Sequence, residues 1–256
     1  DHIYYTINPN TLKSLYRLFL LKSGTFCPVC LRGIGLATRF ADRFDIPLVI
    51  SGNGWRVQYL SNIPELYQGG DAAFFENIVR GEPIENDVRH MARDRKPDYW
   101  NVLVKITSRL TRLPVMRGRH YIRLYDYVEP DFDRIYAVIG NEMNWRRPED
   151  KTEHMDCRLH EIAHYIHTLK FPDITQQTVY YSGRIRSGHI TRAAALESDQ
   201  SIPDDPADPD NLDSFLGDIG LGKDAFLHCV GNWKNIERYR DSGRHRLKSL
   251  YNRFLS

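Results

Sequence analysis

Phe44-Asp45-Ile46-Pro47-Leu48-Val49-Ile50-Ser51-Gly52-Asn53-Gly54 is the stretch on which the fold turns. Residues 47–51 make a short continuous apolar run closed by Gly52-Asn53-Gly54, the pattern of a strand covered on both faces and ending in a turn. Immediately upstream, Ile34, Ala37, Phe40 and Ala41 fall on one face of a helix expected from about Pro28 to Phe44. Further upstream, Asn8-Pro9-Asn10 is a helix-start signal with Asn at or near the cap. Leu12, Leu15, Tyr16, Leu18 and Phe19 then recur at helical spacing through Lys22, and Gly24 ends the helix. Residues 2–7 are strand-like. Strand, helices and strand in this order predict an α/β fold with a parallel sheet flanked by helices.

Downstream the pattern is less regular. Residues 55–120 are rich in aromatic and charged side chains and are expected to hold helices over Ala72–Arg80 and Tyr99–Leu113. Tyr121–Tyr127 is strand-like, Asp131–Asn141 is helical after Glu129-Pro130, and further helices are expected over about Cys157–Leu169 and from Thr191 to Glu197. Ser198–Asp210 holds Pro203, Pro206 and Pro209 among Asp199, Asp204, Asp205, Asp208 and Asp210, the composition of a solvated linker. Asn211–Ser256 reads as two amphipathic helices. The expected division is therefore an α/β domain over 1–197, an acidic Pro-rich linker over 198–210 and a helical extension over 211–256. No internal repeat is visible.

Composition narrows the function classes. The 256 residues suffice for a real core, and Lys+Arg exceed Asp+Glu by only 35 − 33 = 2. No global attraction to nucleic acid follows, although the tail carries Lys234, Arg238, Arg240, Arg244, Arg246, Lys248 and Arg253, which are read first as a solvated helix face and second as an RNA contact. No apolar run approaches the roughly 20 residues of a membrane span. Four cysteines are too few for a disulfide scaffold at this length and point to a reducing, cytoplasmic setting.

Three constellations carry chemistry. Cys27-Pro28-Val29-Cys30 together with the distant Cys157 offers three thiols for zinc or an iron–sulfur cluster, with a fourth position for substrate, sulfide or His154. The same pair also reads as a redox dithiol, and the bland reading is a buried small residue beside an incidental pair. Cys229, in Phe226-Leu227-His228-Cys229-Val230, reads as core. His160-Glu161-Ile162-Ala163-His164 matches HExxH on a helix, which in a zinc metallopeptidase supplies two ligands and a general base, with Glu197 as a third ligand; its bland reading is a polar helix face. Arg184, Arg186 and Arg192 around Ser187-Gly188 are candidates for binding phosphate or an acidic sugar, and Arg146-Arg147 suggests the same more faintly.

The order of several short pieces resembles the N-acetyl sugar amidotransferases of the PP-loop ATP pyrophosphatase superfamily. These pieces are Asp1-His2-Ile3, Thr6-Ile7-Asn8-Pro9, Cys27-x-x-Cys30, Gly33-Ile34-Gly35 and the stretch from Phe44 to Gly52. They continue with Ile122-Arg123-Leu124, Glu129-Pro130-Asp131, Asn144-Trp145-Arg146-Arg147-Pro148-Glu149, Asp156-Cys157 and Ile185 through Arg192. The likeness covers residues 1–197 in patches. It implies an adenine-nucleotide α-hydrolase-like, Rossmann-like sheet, with ATP adenylylating a carbonyl oxygen and releasing pyrophosphate. It also implies ammonia from a glutaminase partner turning an acetamido sugar into an acetamidino sugar for surface polysaccharide. In neighbouring branches the nucleophile is sulfur, the acceptor is a tRNA base or a small molecule, and an iron–sulfur cluster sits on the cysteines. On this resemblance Gly52, Asn53 and Arg123 are the nucleotide-binding candidates, at the carboxyl ends of strands where open α/β sheets hold ligands. The superfamily's Ser-Gly-Gly-x-Asp-Ser phosphate loop is not found in these residues, and is expected upstream of Asp1 or lost in a non-catalytic binding relative.

Overall fold

Asn8, Pro9 and Gly24 set the limits of the first helix. In the computed structural model, α1 runs Pro9–Ser23. The Asn8 side chain accepts hydrogen bonds from the amides of Asn10 (2.9 Å) and Thr11 (3.4 Å), satisfying donors that the first turn leaves open. Gly24 closes the helix at φ 60°, where its amide donates to the Leu20 carbonyl. The structure describes residues 2–34, 36–52, 72–92, 120–128, 131–146, 157–174, 176–186, 188, 190–198 and 206–232. After α1 come α2 (Cys27–Ile34), α3 (Leu36–Arg43), β1 (Leu48–Ser51), α4 (Ala72–Val79), α5 (Glu85–Ala92), β2 (His120–Arg123), α6 (Phe132–Met143), α7 (His160–Lys170), α8 (Gln176–Arg186), α9 (Arg192–Ser198), α10 (Leu212–Ile219) and α11 (Lys223–Gly231).

The chain divides into two units, one of Asp1–Pro47, Tyr67–His120 and Leu212–Ser256, the other of Leu48–Leu66 and Tyr121–Asn211. In the first unit α1 is the central element and packs against α2, α4, α10 and α11. Leu15, Phe19, Val29, Phe74, Phe75 and Ile78 form its buried centre. The Phe19 ring lies 5.1 Å from that of Phe75 and 6.3 Å from that of Phe74, offset contacts of the kind aromatic side chains favour. A second aromatic group joins α1 to α10: Phe26 lies 5.5 Å from Tyr16 and 5.3 Å from Phe215. Polar contacts reinforce this seam, because Lys13 meets Asp218 at 2.6 Å and Arg17 donates to the Ile219 and Gly220 carbonyls at the end of α10. The tail helices thus bury Leu212, Phe215, Leu216 and Ile219 in the same unit as α1.

Polar α5 is held by its neighbours. Its C-terminal carbonyls are taken by Arg39, which donates to His90, and by Arg32, which donates to Met91 at 2.8 Å. Val88 and Met91 supply its buried side. Residues 2–7, read from the sequence as a strand, have no regular secondary structure. Tyr5 explains why: its ring packs 5.5 Å from Phe40 and its hydroxyl lies 3.0 Å from His90 Nε2, so the segment is fixed by side chains rather than by a ladder.

In the second unit β1 and β2 are hydrogen-bonded neighbours in a two-stranded sheet. The strand expected over Tyr121–Tyr127 is shorter, giving way at Leu124–Asp126 to a 3₁₀ turn. Leu48 and Ile50 of β1 are exposed. Helix α6 starts where Asp131 Oδ1 accepts the Arg134 amide at 3.0 Å and stops at Asn144, in the left-handed region at φ 51°. Helix α7 buries Ile162, Tyr165, Ile166 and Thr168. The expected helices over Tyr99–Leu113 and beyond residue 232 lie outside the described residues.

Candidate functional site

Cys27 and Cys30 occupy the first turn of α2 in the first unit, Cys27 half-buried and Cys30 exposed. Pro28 fits this turn because its missing amide has no partner to lose there, and the Val29 amide reaches back to the Phe26 carbonyl at 3.0 Å. The Tyr16 hydroxyl, carried by α1, lies 3.6 Å from Cys30 Sγ. Cys157, half-buried, belongs to the second unit just before α7, where its carbonyl accepts the His160 amide at 3.4 Å. Cys229 on α11 is also half-buried, and burial pushes its thiol pKa up.

Helix α7 carries the HExxH residues. His160 is half-buried and His164 exposed, one turn apart on the same face. Among the described residues no three His, Cys, Asp or Glu side chains gather into a metal-holding group, so Glu197 on α9 does not join the two histidines in one. The more constrained imidazole on this helix is His167. Its Nε2–H donates to the Ile174 carbonyl at 2.7 Å, and its ring lies 5.1 Å from Phe171. Burial lowers its pKa below 6.5; the bond to Ile174 opposes that shift, and the charges of His164 and Lys170 add to it. The helix is pinned on another side by Tyr165, whose hydroxyl donates to Asp208 Oδ1 at 2.8 Å.

The three arginines flank the turn between α8 and α9. Arg184 and Arg186 lie in the last turn of α8, half-buried and exposed respectively, and Arg192 begins α9 and is exposed. Gly188, at φ 79°, makes the turn, with its amide donating to the Ile185 carbonyl at 3.1 Å. Arg186 Nη1 donates to Ser182 Oγ at 2.6 Å, and Thr191 Oγ1 caps α9 by accepting the Ala194 amide at 3.2 Å. Gly52 follows β1 and is exposed, and Arg123 is the last residue of β2, the neighbouring strand. Asn53, His154, Arg147, Ser187, and the basic tail residues from Lys234 to Arg253 lie outside the described residues.

Two contacts had no warning in the sequence. Tyr16 is fourteen residues from Cys30, and only the packing of α1 on α2 brings them together. Tyr136 stacks on Trp145 at 5.8 Å, with planes 15° apart, because the left-handed Asn144 turns the chain back along α6.

Part of the chain is similar to proteins of lipopolysaccharide biosynthesis. The matching family model is described as the C-terminal domain of WbpG-like LPS biosynthesis proteins, and it covers residues 133–253. No curated protein matches the chain. None of the described helices is long and apolar enough to cross a membrane.

Proposed function

We propose that the chain belongs to an ATP-dependent amidotransferase that converts the acetamido group of an N-acetyl sugar into an acetamidino group during lipopolysaccharide assembly. The observation that carries this reading is the match of residues 133–253 to a lipopolysaccharide-biosynthesis family. Within that span fall Asn144-Trp145-Arg146, Asp156-Cys157 and Ile185 through Arg192, pieces whose order resembles the sugar amidotransferases.

An amide carbon is a poor electrophile, and its oxygen is a poor leaving group. In the proposed reaction the acetamido oxygen attacks the α-phosphorus of ATP, pyrophosphate leaves, and the oxygen becomes part of an adenylyl group. Ammonia adds to the activated carbon, the C–O bond breaks, and AMP departs with the former carbonyl oxygen. Stabilising charge on the phosphates is the main task of the protein in such a step. The fold proposed is a Rossmann-like sheet to which β1 and β2 belong, with Gly52, Asn53 and Arg123 assigned to the nucleotide. Arg184, Arg186 and Arg192 are assigned to an anionic group of the sugar substrate, for which guanidinium forks are suited.

The test uses the natural full-length protein with ATP, ammonium and a panel of N-acetyl sugars and their nucleotide conjugates. One substrate should give equal amounts of AMP, pyrophosphate and a sugar in which NH replaces oxygen. A heavy-oxygen label in the acetamido carbonyl should emerge in AMP. Label retained in the sugar, or no AMP with any acetamido substrate from folded protein, refutes the proposal. Turnover with sulfide in place of ammonium, giving a thioamide, would also refute it and move the chain to the sulfur-transfer branch.

A further inference from the structure

We infer that Cys27 and Cys30 form a thiol–disulfide exchange site, oxidised by small-molecule disulfides, in which Cys30 attacks and Cys27 resolves. The inference is independent of the sugar reaction.

Three observations carry it. Residues three apart on an α-helix have Cα atoms about 5 Å apart, inside the roughly 4.4–6.8 Å that a disulfide spans. The two thiols also differ in access: Cys30 is exposed and Cys27 half-buried, so an incoming disulfide meets Cys30 first. Finally, the Tyr16 hydroxyl sits 3.6 Å from Cys30 Sγ. A hydroxyl there donates to the thiolate, the species that attacks, and holds it at the α1–α2 seam.

The step balances without a further reagent. The Cys30 thiolate attacks one sulfur of an oxidised low-molecular-weight thiol such as glutathione disulfide. The S–S bond breaks and one thiolate leaves, producing a mixed disulfide on Cys30. Deprotonated Cys27 attacks Cys30 Sγ, expels the second small thiolate and leaves a Cys27–Cys30 disulfide. The protein is oxidised by two electrons, and one small disulfide is reduced to two thiols. Val29, between the two cysteines in sequence, is buried in the core of this unit.

Full-length protein is equilibrated in glutathione buffers of graded ratio, alkylated with N-ethylmaleimide and mapped by peptide mass. The wild type should form Cys27–Cys30 in oxidising buffers and lose it in reducing ones. Cys27→Ser should accumulate one glutathione on Cys30, whereas Cys30→Ser should accumulate no adduct on Cys27 at the same ratio. Tyr16→Phe should slow the first step about fivefold, the equivalent of one ordinary hydrogen bond. Circular dichroism of each variant separates a chemical effect from unfolding. The proposal is overturned if folded Cys27→Ser gains no adduct, or if the wild type keeps both thiols alkylatable in oxidising buffer. It is equally overturned if purified wild type holds a stoichiometric metal that protects both thiols from the disulfide.

Discussion

Replacing Gly24 by alanine tests the seating of the tail helices on α1. Gly24 needs its left-handed backbone to end α1, and a non-glycine residue there costs about 1 kcal/mol. An added Cβ would also sit 2.7 Å from the Cys229 carbonyl oxygen and 3.3 Å from Val230 Cα, both backbone atoms of α11. Neither can rotate away, so α11 must shift; forcing such a shift in packed structure typically costs about 1–3 kcal/mol. The smaller entropy of the unfolded alanine chain returns about 0.4–1 kcal/mol. The net loss should be about 1–3 kcal/mol. Gly81, at φ 76° with nothing within 4 Å of an added Cβ, has the backbone cost without the collision. Gly33 in α2 has neither, and its alanine variant should gain about 0.5 kcal/mol. All three glycines lie in the first unit, so one urea transition reports them. The predicted order of midpoints is Gly33→Ala above wild type, then Gly81→Ala, then Gly24→Ala lowest. If Gly24→Ala unfolds no earlier than Gly81→Ala, the close approach of α11 to the end of α1 is wrong.

Further expectations follow from single side chains. Since burial lowers the pKa of His167 below 6.5, the unfolded chain binds its proton first as pH falls. The stability linked to neutral His167 is complete above 6.5 and declines below it, so a His167→Gln variant should lose that part of the slope in urea titrations from pH 7 to 5. Lys22 donates to the Ile78 carbonyl at 2.8 Å and pairs with Glu82 at 2.7 Å while only 28% exposed. Lys22→Met should cost about 1–2 kcal/mol by stripping both acceptors of their donor, and thermal melts that show no loss would contradict this geometry. Exposed Cys30 should be alkylated about tenfold faster than Cys229, whose thiol pKa is raised by burial. Timed maleimide labelling with peptide mapping gives the ratio, and equal rates would refute the difference in environment.

Local signals made α1 and α6 legible, because their ends are written in side chains that act on adjacent backbone. Asn8 and Asp131 cap the two starts, and Gly24 closes the first helix with a residue whose preference shows in the sequence. The helix expected from Pro28 to Phe44 is helical over Cys27–Ile34 and Leu36–Arg43, with residue 35 outside the described residues. Helices α5 and α8 were harder to read for opposite reasons. In α5, among the described residues, Val88 and Met91 mark a buried side, and its end depends on Arg32 and Arg39 from elsewhere in the chain. In α8 the run Thr178-Val179-Tyr180-Tyr181 favours a strand by propensity, yet it is helical. Residues 2–7 failed in the other direction, since no strand among the described residues pairs with them to form a ladder.

The candidate site shows what spacing alone can and cannot establish. HExxH fixes the relation of His160 to His164, because one helical turn is enough to place them on a common face. It says nothing about a third ligand, which must arrive through tertiary structure, and Glu197 does not complete such a group. Cys27-x-x-Cys30 has more information in it, because a disulfide needs only two residues and the helix itself supplies their separation. What spacing could not show is which sulfur faces outward and that Tyr16 stands beside it. The arginines around Gly188 lie between these cases. They stand at the end of α8 and the start of α9, and Arg186 already donates to Ser182 within its own helix. An anionic substrate must therefore draw Arg186 from that bond, so Arg192→Ala should raise KM for an acidic sugar more than Arg186→Ala. The reverse order would mean that the α8 side of the turn holds the anion.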